Sequence, residues 1–294
     1  MYLIQYLIII SAFSFCSNID HLLLIRIVTQ PDKAESISIL NPTENAISLK
    51  DYYISDDEDY YKMQTENDPS PSSSASGFTA KFPEVTINPG DTMHIVLNEN
   101  YNEFYGNDFT PDFTMFESNF YSMQKPESNS FGISENKIDD DSELIILFKW
   151  KDESNLNLIE DVDYFLWGAY QTPINKTGID NYKNDTSNDS QLYFESIAKE
   201  NYAYTRFSTQ ETAEIQSNGN GITGNNETSE NFREAWHIAE IFNMGCTDTS
   251  APNYSALAEK DDGSCFIQFE KVINGVYDCN ASSNGYCDSE PVCP

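Results

Sequence analysis

The sequence predicts an all-β protein, an immunoglobulin-like β-sandwich with long loop insertions, followed by a small cysteine-rich tail. Three observations carry this expectation. Short apolar runs recur through residues 22–168, bounded by Asn, Asp, Gly, Pro and Ser, while apolar residues at helical spacing are scarce. The chain holds 18 Tyr, 18 Phe and 3 Trp. Each buried aromatic removes about 150–250 Å² from water, enough for a large core. Five of the six cysteines fall after residue 245, separating a cysteine-free body from a compact tail.

Strands are expected at residues 22–28, 35–40, 46–49, 52–54, 82–87, 92–97, 144–150 and 163–168. In Glu35-Ser36-Ile37-Ser38-Ile39 polar and apolar residues alternate strictly, which reads as a half-buried antiparallel strand. Leu144-Ile145-Ile146-Leu147-Phe148 is apolar on both faces and reads as a central, doubly covered strand. Asn41-Pro42 ends a strand, because Pro cannot continue a central ladder. Asn88-Pro89-Gly90-Asp91 is a turn expected to join two strands as a hairpin. Tyr52 and Trp167 are expected in the core, and Gly168 at a strand end or tight turn. Short strands with frequent turn signals assemble as a sandwich of immunoglobulin type.

Two insertions interrupt this series within an expected sandwich domain at 20–237. Residues 64–80 include Pro-Ser-Pro-Ser-Ser-Ser-Ala-Ser-Gly and read as a solvated loop. Residues 103–137 carry many aromatics, among them Phe104, Tyr105, Phe109 and Phe113, and read as an ordered insertion packed on the sandwich edge. Further on, residues 191–202 suit a short helix and the Asn- and Gly-rich residues 217–225 a loop.

Charge narrows the function classes. With 16 Lys and Arg against 48 Asp and Glu, the formal net charge is −32. Such a chain repels nucleic-acid phosphates and anionic membrane surfaces. It attracts cations, above all Ca²⁺, which takes carboxylate and carbonyl oxygens.

Residues 1–16 read as a secretory signal peptide. MYLIQYLIIISAFSF is apolar but too short to span a bilayer, which needs about 20 apolar residues. Cleavage after Ser14 or after Cys16 fits, and a buried first strand is the alternative. The usual positive charge ahead of the apolar run is absent, which an earlier natural start would supply. Cys16 is a candidate lipid anchor, but Phe15 stands where a small residue is normal, so simple secretion is preferred. No further transmembrane segment is expected. The tail at 243–294, with Cys246, Cys265, Cys279, Cys287 and Cys293, reads as a disulfide-stapled appendage of an exported protein. Four cysteines allow three pairings and a fifth is left over, so a continuation past Pro294 is expected.

The ordered motifs resemble the bacterial secreted lamin tail domain. Glu35-Ser36-Ile37-Ser38-Ile39-Leu40-Asn41-Pro42 is followed by Ile47-Ser48-Leu49-Lys50-Asp51-Tyr52-Tyr53-Ile54-Ser55-Asp56. Phe82-Pro83, Pro89-Gly90, Ile95-Val96-Leu97 and Asp163-Tyr164-Phe165-Leu166-Trp167-Gly168 complete the series over residues 22–168. Tyr52 stands where that family often has Trp, and the 103–137 insertion is long. The resemblance implies an immunoglobulin-like sandwich without a catalytic centre, acting as a binding or structural module.

The tail resembles a unit of secreted marine bacterial proteins. Its residues are Gly245-Cys246-Thr247-Asp248, Asn253-Tyr254, Ala258 and Asp261-Asp262-Gly263-Ser264-Cys265. Joining Cys246 to Cys265 would stabilise the loop between them by about 3 kcal/mol in the chain-entropy model. Asp248, Asn253, Asp261 and Asp262 would then lie close together as candidate Ca²⁺ ligands, or remain solvated acids. Asp56, Asp57 and Asp59, in an acidic run after a strand, are further candidates. With Asp139-Asp140-Asp141 and Glu160, Asp161 and Asp163, they would converge only if these loops meet at one sandwich end.

No Gly-x-Ser-x-Gly elbow, His-Glu-x-x-His, Walker loop or dinucleotide fingerprint occurs, and His21, His94 and His237 are isolated. No catalytic residue and no organic cofactor is assigned. The sequence points to a non-catalytic secreted or cell-surface interaction or structural module, stabilised by Ca²⁺, whose partner is an extracellular protein or glycan. The alternative is an accessory domain of a larger secreted hydrolase whose catalytic part is not in this chain.

Overall fold

The structure, a computed structural model, describes residues 19–62, 77–116, 122–126, 137–150, 158–169, 171–211 and 213–266. The expected signal at 1–16, with Cys16, and the cysteines Cys279, Cys287 and Cys293 lie outside the described residues. Two compact units divide the chain: Met1–Ala198 with Tyr204–Ile238, and Lys199–Ala203 with Ala239–Pro294.

The described residues form an all-β sandwich. The strands are β1 (Leu23–Val28), β2 (Ser36–Leu40), β3 (Ile47–Ser48), β4 (Tyr52–Ser55), β5 (Thr79–Lys81), β6 (Thr86–Ile87) and β7 (Thr92–Val96). They continue as β8 (Phe113–Thr114), β9 (Glu143–Lys149), β10 (Glu160–Trp167), β11 (Tyr202–Arg206), β12 (Trp236–Glu240), β13 (Met244–Gly245) and β14 (Lys260–Asp261). One short α-helix, α1 (Tyr101–Tyr105), occurs among the described residues. Six strands make one sheet in the order β12-β11-β1-β2-β7-β8, and four make a second in the order β10-β9-β4-β5. A single buried cluster runs through both, with Leu24, Ile37 and Ile95 from the first sheet and Ile54, Leu147 and Phe165 from the second. No helix among the described residues is long and apolar enough to cross a membrane.

β9 lies between β10 and β4 and is buried from Leu144 to Phe148, as its uninterrupted apolar run requires. Tyr52 and Trp167 are buried. Gly168 ends β10 at φ 63°, where a Cβ would lie 2.0 Å from the Asp141 carbonyl oxygen, so only glycine fits.

β2 is not half-buried: Ser36 and Ser38 are buried along with Ile37 and Ile39. The aromatic insertion supplies the second cover. The Tyr105 hydroxyl donates to the Ala34 carbonyl at 2.6 Å and lies 2.9 Å from Ser36 Oγ. On the neighbouring strand His94 Nδ1 meets Ser38 Oγ at 2.8 Å, and its ring packs on Phe109. Alternation reports one apolar face; it is silent on whether the polar face is later covered.

The expected hairpin at residues 88–91 is a turn without a hairpin. The Asp91 N–H donates to the Asn88 carbonyl at 3.1 Å, with Gly90 at φ 77°. Yet β6 pairs with β3, and β7 with β2. Buried Asn41 holds the crossing: its carbonyl accepts the Gly90 N–H at 2.7 Å and its side-chain amide donates to Ile87 O at 3.0 Å. The strand expected at 82–87 is reduced to Thr86–Ile87: the Phe82 N–H still donates to the Tyr52 carbonyl beside the β4–β5 pair, and the chain then turns where the Val85 N–H donates to the Pro83 carbonyl. Nor is there a helix at 191–202. Phe194 instead bridges to Trp167, exchanging backbone hydrogen bonds with Leu166 and Gly168, and tertiary pairing overrides local preference.

The second unit contains the parallel pair β13 and β14. A disulfide joins Cys246 to Cys265.

Candidate functional site

A bulge in β10 distributes two carboxylates to two buried ion centres. Asp161 lies opposite Phe148 and Asp163 opposite Leu147, so Val162 is the extra residue. Opposed residues share a face and successive residues of β9 alternate faces, so the bulge sends Asp161 and Asp163 to opposite sides of the sheet. Without it both would point the same way.

On the Phe148 side, whose ring packs on Tyr60, Lys176 is wholly buried. Its Nζ lies 2.8 Å from Asp161 Oδ2, 3.3 Å from Asp185 Oδ2 and 2.9 Å from the Tyr60 hydroxyl. The Tyr60 hydroxyl also donates to Asp161 Oδ1. Burial alone would lower the Lys176 ammonium, but the Asp161 and Asp185 carboxylates outweigh it and hold it above its ordinary value. The ammonium is fully engaged and packs against the Tyr60 ring, which makes this centre structural.

On the other side Arg206, from β11, is buried among acids. Its Nη2 donates to Asp163 Oδ1 at 2.6 Å, its Nη1 to Glu211 Oε1 at 3.1 Å, and its Nε to the Leu24 carbonyl at 2.8 Å. Its guanidinium packs over the Trp236 ring. Glu230 Oε1 lies 3.7 Å away. Asp163 Oδ2 also accepts the Leu24 N–H at 2.6 Å, tying β10 to β1. Glu214 also acts on the guanidinium, and Glu227 lies among Glu214, Glu211 and Asp163, so five carboxylates gather in this region.

The five acids are not equally satisfied. Glu214 Oε2, Glu227 Oε2 and both Glu230 oxygens are buried and accept no hydrogen bond from any described residue. Burial and neighbouring carboxylates push Glu211 up to about 8, and raise Glu227 and Glu230 well above the usual carboxylate range. Burial likewise raises Asp163 to about 7 against the pull of Arg206. One oxygen each from Asp163, Glu211 and Glu227 lie within 4.8 Å of one another. Gly221 makes room for Glu227: a Cβ there would stand 2.3 Å from Glu227 Oε1.

The residues singled out in the sequence lie elsewhere. Asp56 is buried and accepts the Phe78 N–H at 2.5 Å; burial and then Glu143 raise its pKa. Asp57 Oδ1 accepts the Asp59 N–H at 2.8 Å, and Asp59 pairs with Lys62 at 2.5 Å. In the tail, Asp248 Oδ1 accepts the Ser250 N–H, Asp261 Oδ1 the Gly263 N–H and Asp262 Oδ1 the Ser264 N–H, all local turn bonds. Asn253 donates to the Ser264 carbonyl and accepts the Phe266 N–H, bracing the loop near Cys265. Asp161 and Asp163 stand inside β10 rather than in a loop at one sandwich end. Among the described residues the close metal-competent trio is Asp163, Glu211 and Glu227. The glutamates went unnoticed because their loops are as acidic as the rest of the chain. A usable signal was Arg206, a cation in the alternating run Tyr202-Ala203-Tyr204-Thr205-Arg206, where the phase demands an inward side chain.

No family model matches the sequence and no curated protein matches it. Among solved structures, a DUF4876 family protein from Bacteroides thetaiotaomicron shares 14% identity over 74% of this chain and 70% of that one, with a TM-score of 0.39.

Proposed function

We propose that the chain is a non-catalytic module of an exported protein, secreted or held at the cell surface, that presents loops of a β-sandwich to an extracellular protein or glycan. The observation that carries this reading is the Cys246–Cys265 disulfide. It closes a segment whose buried apolar side chains are few, Cys246 and Ala251 among them. Small units with so little core depend on a covalent staple, and staples persist in oxidising compartments. The ordered motifs that resemble lamin tail domains support the same reading. Tyr193 and Phe207 are exposed on the first unit and offer amphipathic or apolar area for a protein surface or sugar ring.

The test uses the purified, oxidised chain. It is applied to a glycan array and to extracellular proteins of the source cells, and assayed in parallel against peptidase, esterase and glycosidase substrates. Saturable binding without turnover is expected. Turnover of any substrate by homogeneous protein would overturn the reading.

A further inference from the structure

We infer that Asp163, Glu211 and Glu227 bind a hard divalent cation, Ca²⁺, inside the first unit, with Glu214 and Glu230 completing its surroundings. The trio offers one oxygen each within 4.8 Å of one another. Two oxygens each about 2.4 Å from a shared Ca²⁺ can be no more than about 4.8 Å apart, so the spacing admits the ion. All three donors are carboxylates, the ligand type that favours Ca²⁺ over softer metals.

A second observation is independent of the acids being clustered. Glu227 is 2% exposed, and its Oε2 accepts no hydrogen bond from any described residue while its carboxylate points into the trio. Glu230, 1% exposed, has both oxygens in the same condition. Buried polar atoms are normally satisfied, and a buried charge needs a counter-charge. Arg206 already divides its hydrogen-bond donors among Asp163, Glu211 and Leu24 and reaches Glu230 Oε1 only at 3.7 Å, so its single positive charge is shared by several carboxylates. Two Glu-x-x-Glu segments, Glu211 to Glu214 and Glu227 to Glu230, bring the acids to Asp163 from separate parts of the chain. A bound ion would therefore fasten β10 to both. The competing state is a set of shared protons, and the measurements below separate the two.

The inference adds a ligand to the proposed module without depending on its partner, so either can fail alone. Full-length oxidised protein, stripped with EDTA and dialysed, is titrated calorimetrically with Ca²⁺ at neutral pH and melted with and without the ion. One Ca²⁺ site is expected that Glu227→Gln weakens at least tenfold. Free Ca²⁺ at 100 times its dissociation constant should raise the melting temperature by about 5–10 °C. The telling result is a change of sign. In EDTA, Glu227→Gln should melt at or above wild type, because it removes a buried unpaired carboxylate. In Ca²⁺ it should melt below. If that variant does not fold, Glu211→Gln, at a side chain 10% exposed, takes its place. The double change Asp261→Asn, Asp262→Asn should leave the site intact. Equal melting in Ca²⁺ and EDTA, stabilisation by Mg²⁺ or Zn²⁺ but not Ca²⁺, or binding lost in the tail variant and kept in Glu227→Gln would each overturn the inference.

Discussion

Replacing Lys176 with methionine isolates what a buried counter-charge contributes to this sandwich. Methionine keeps an unbranched apolar stem of similar length, so packing against Tyr60 and Tyr61 changes little while the ammonium is lost. The carboxylates of Asp161 and Asp185 then face each other without the Nζ that stood 2.8 and 3.3 Å from them. At an effective dielectric of about 20, those distances correspond to gross attractions of about 6 and 5 kcal/mol. Most of that offsets the desolvation of three buried charges, and removing one partner from a buried ion pair costs about 3–5 kcal/mol net. For a unit of this size the loss is about 6–20 °C in melting temperature. Urea unfolding followed by tryptophan fluorescence reads it, with an unchanged denaturant slope showing that the folded state is intact. Adding Asp161→Asn to Lys176→Met should recover part of the loss, because one of the two stranded charges is gone. A loss under about 1 kcal/mol, or no recovery in the double variant, would refute the claim that Lys176 neutralises this centre.

Two further outcomes follow from other buried groups. Glu35 is 1% exposed, its Oε1 accepts the Ile138 N–H and its Oε2 no hydrogen bond from a described residue; burial, reinforced by Asp32 and Asp140 against Lys137, pushes it to about 9. The folded protein thus keeps a proton that the unfolded chain releases near pH 4.5, so stability falls as pH rises from about 4.5 to 9. Glu35→Gln should match wild type near pH 4.5 and melt higher at pH 8–9; parallel melting curves across that range would remove Glu35 as the cause. In the second unit, reduction of the Cys246–Cys265 disulfide, which spans 19 residues, should cost about 3 kcal/mol. Limited proteolysis within residues 243–266 should then accelerate, and a cleavage pattern indifferent to reduction would dismiss the staple's role.

How much of this was legible in the sequence depends on the range of the interaction that decides each element. β9 was legible because a both-faces-apolar run has one comfortable place, the middle of a covered sheet. Trp167 and Gly168 were legible because strand position and residue type agree. What the sequence hid was pairing. The turn at Asn88-Pro89-Gly90-Asp91 is local chemistry and forms, whereas the partners of the strands beside it are set by distant Asn41. The burial of Ser36 and Ser38 depends on Tyr105 and on His94 with its Phe109 neighbour, more than 50 positions along the chain. The β10 bulge was hidden for the same reason, since a single extra residue is visible only against β9.

The charge balance explains why the buried centres deserve more weight than the exposed acidic runs. A chain with 48 acids and 16 bases cannot pair every carboxylate, and most acids can stay in water at little cost. Acids left in the interior therefore carry information that surface acids do not. At Asp161 and Asp185 the interior solution is complete: one ammonium and one tyrosine hydroxyl engage the pair. At Asp163 it is incomplete, because one guanidinium serves Asp163 and Glu211 and reaches Glu230 Oε1 only at 3.7 Å, while Glu227 and Glu230 keep oxygens that accept no hydrogen bond from a described residue. The two centres are separated by a single bulge in one strand and differ in whether the protein supplies enough positive charge itself. That difference, rather than the number of acids, distinguishes a finished structural ion pair from a site that needs a proton or a metal to be whole.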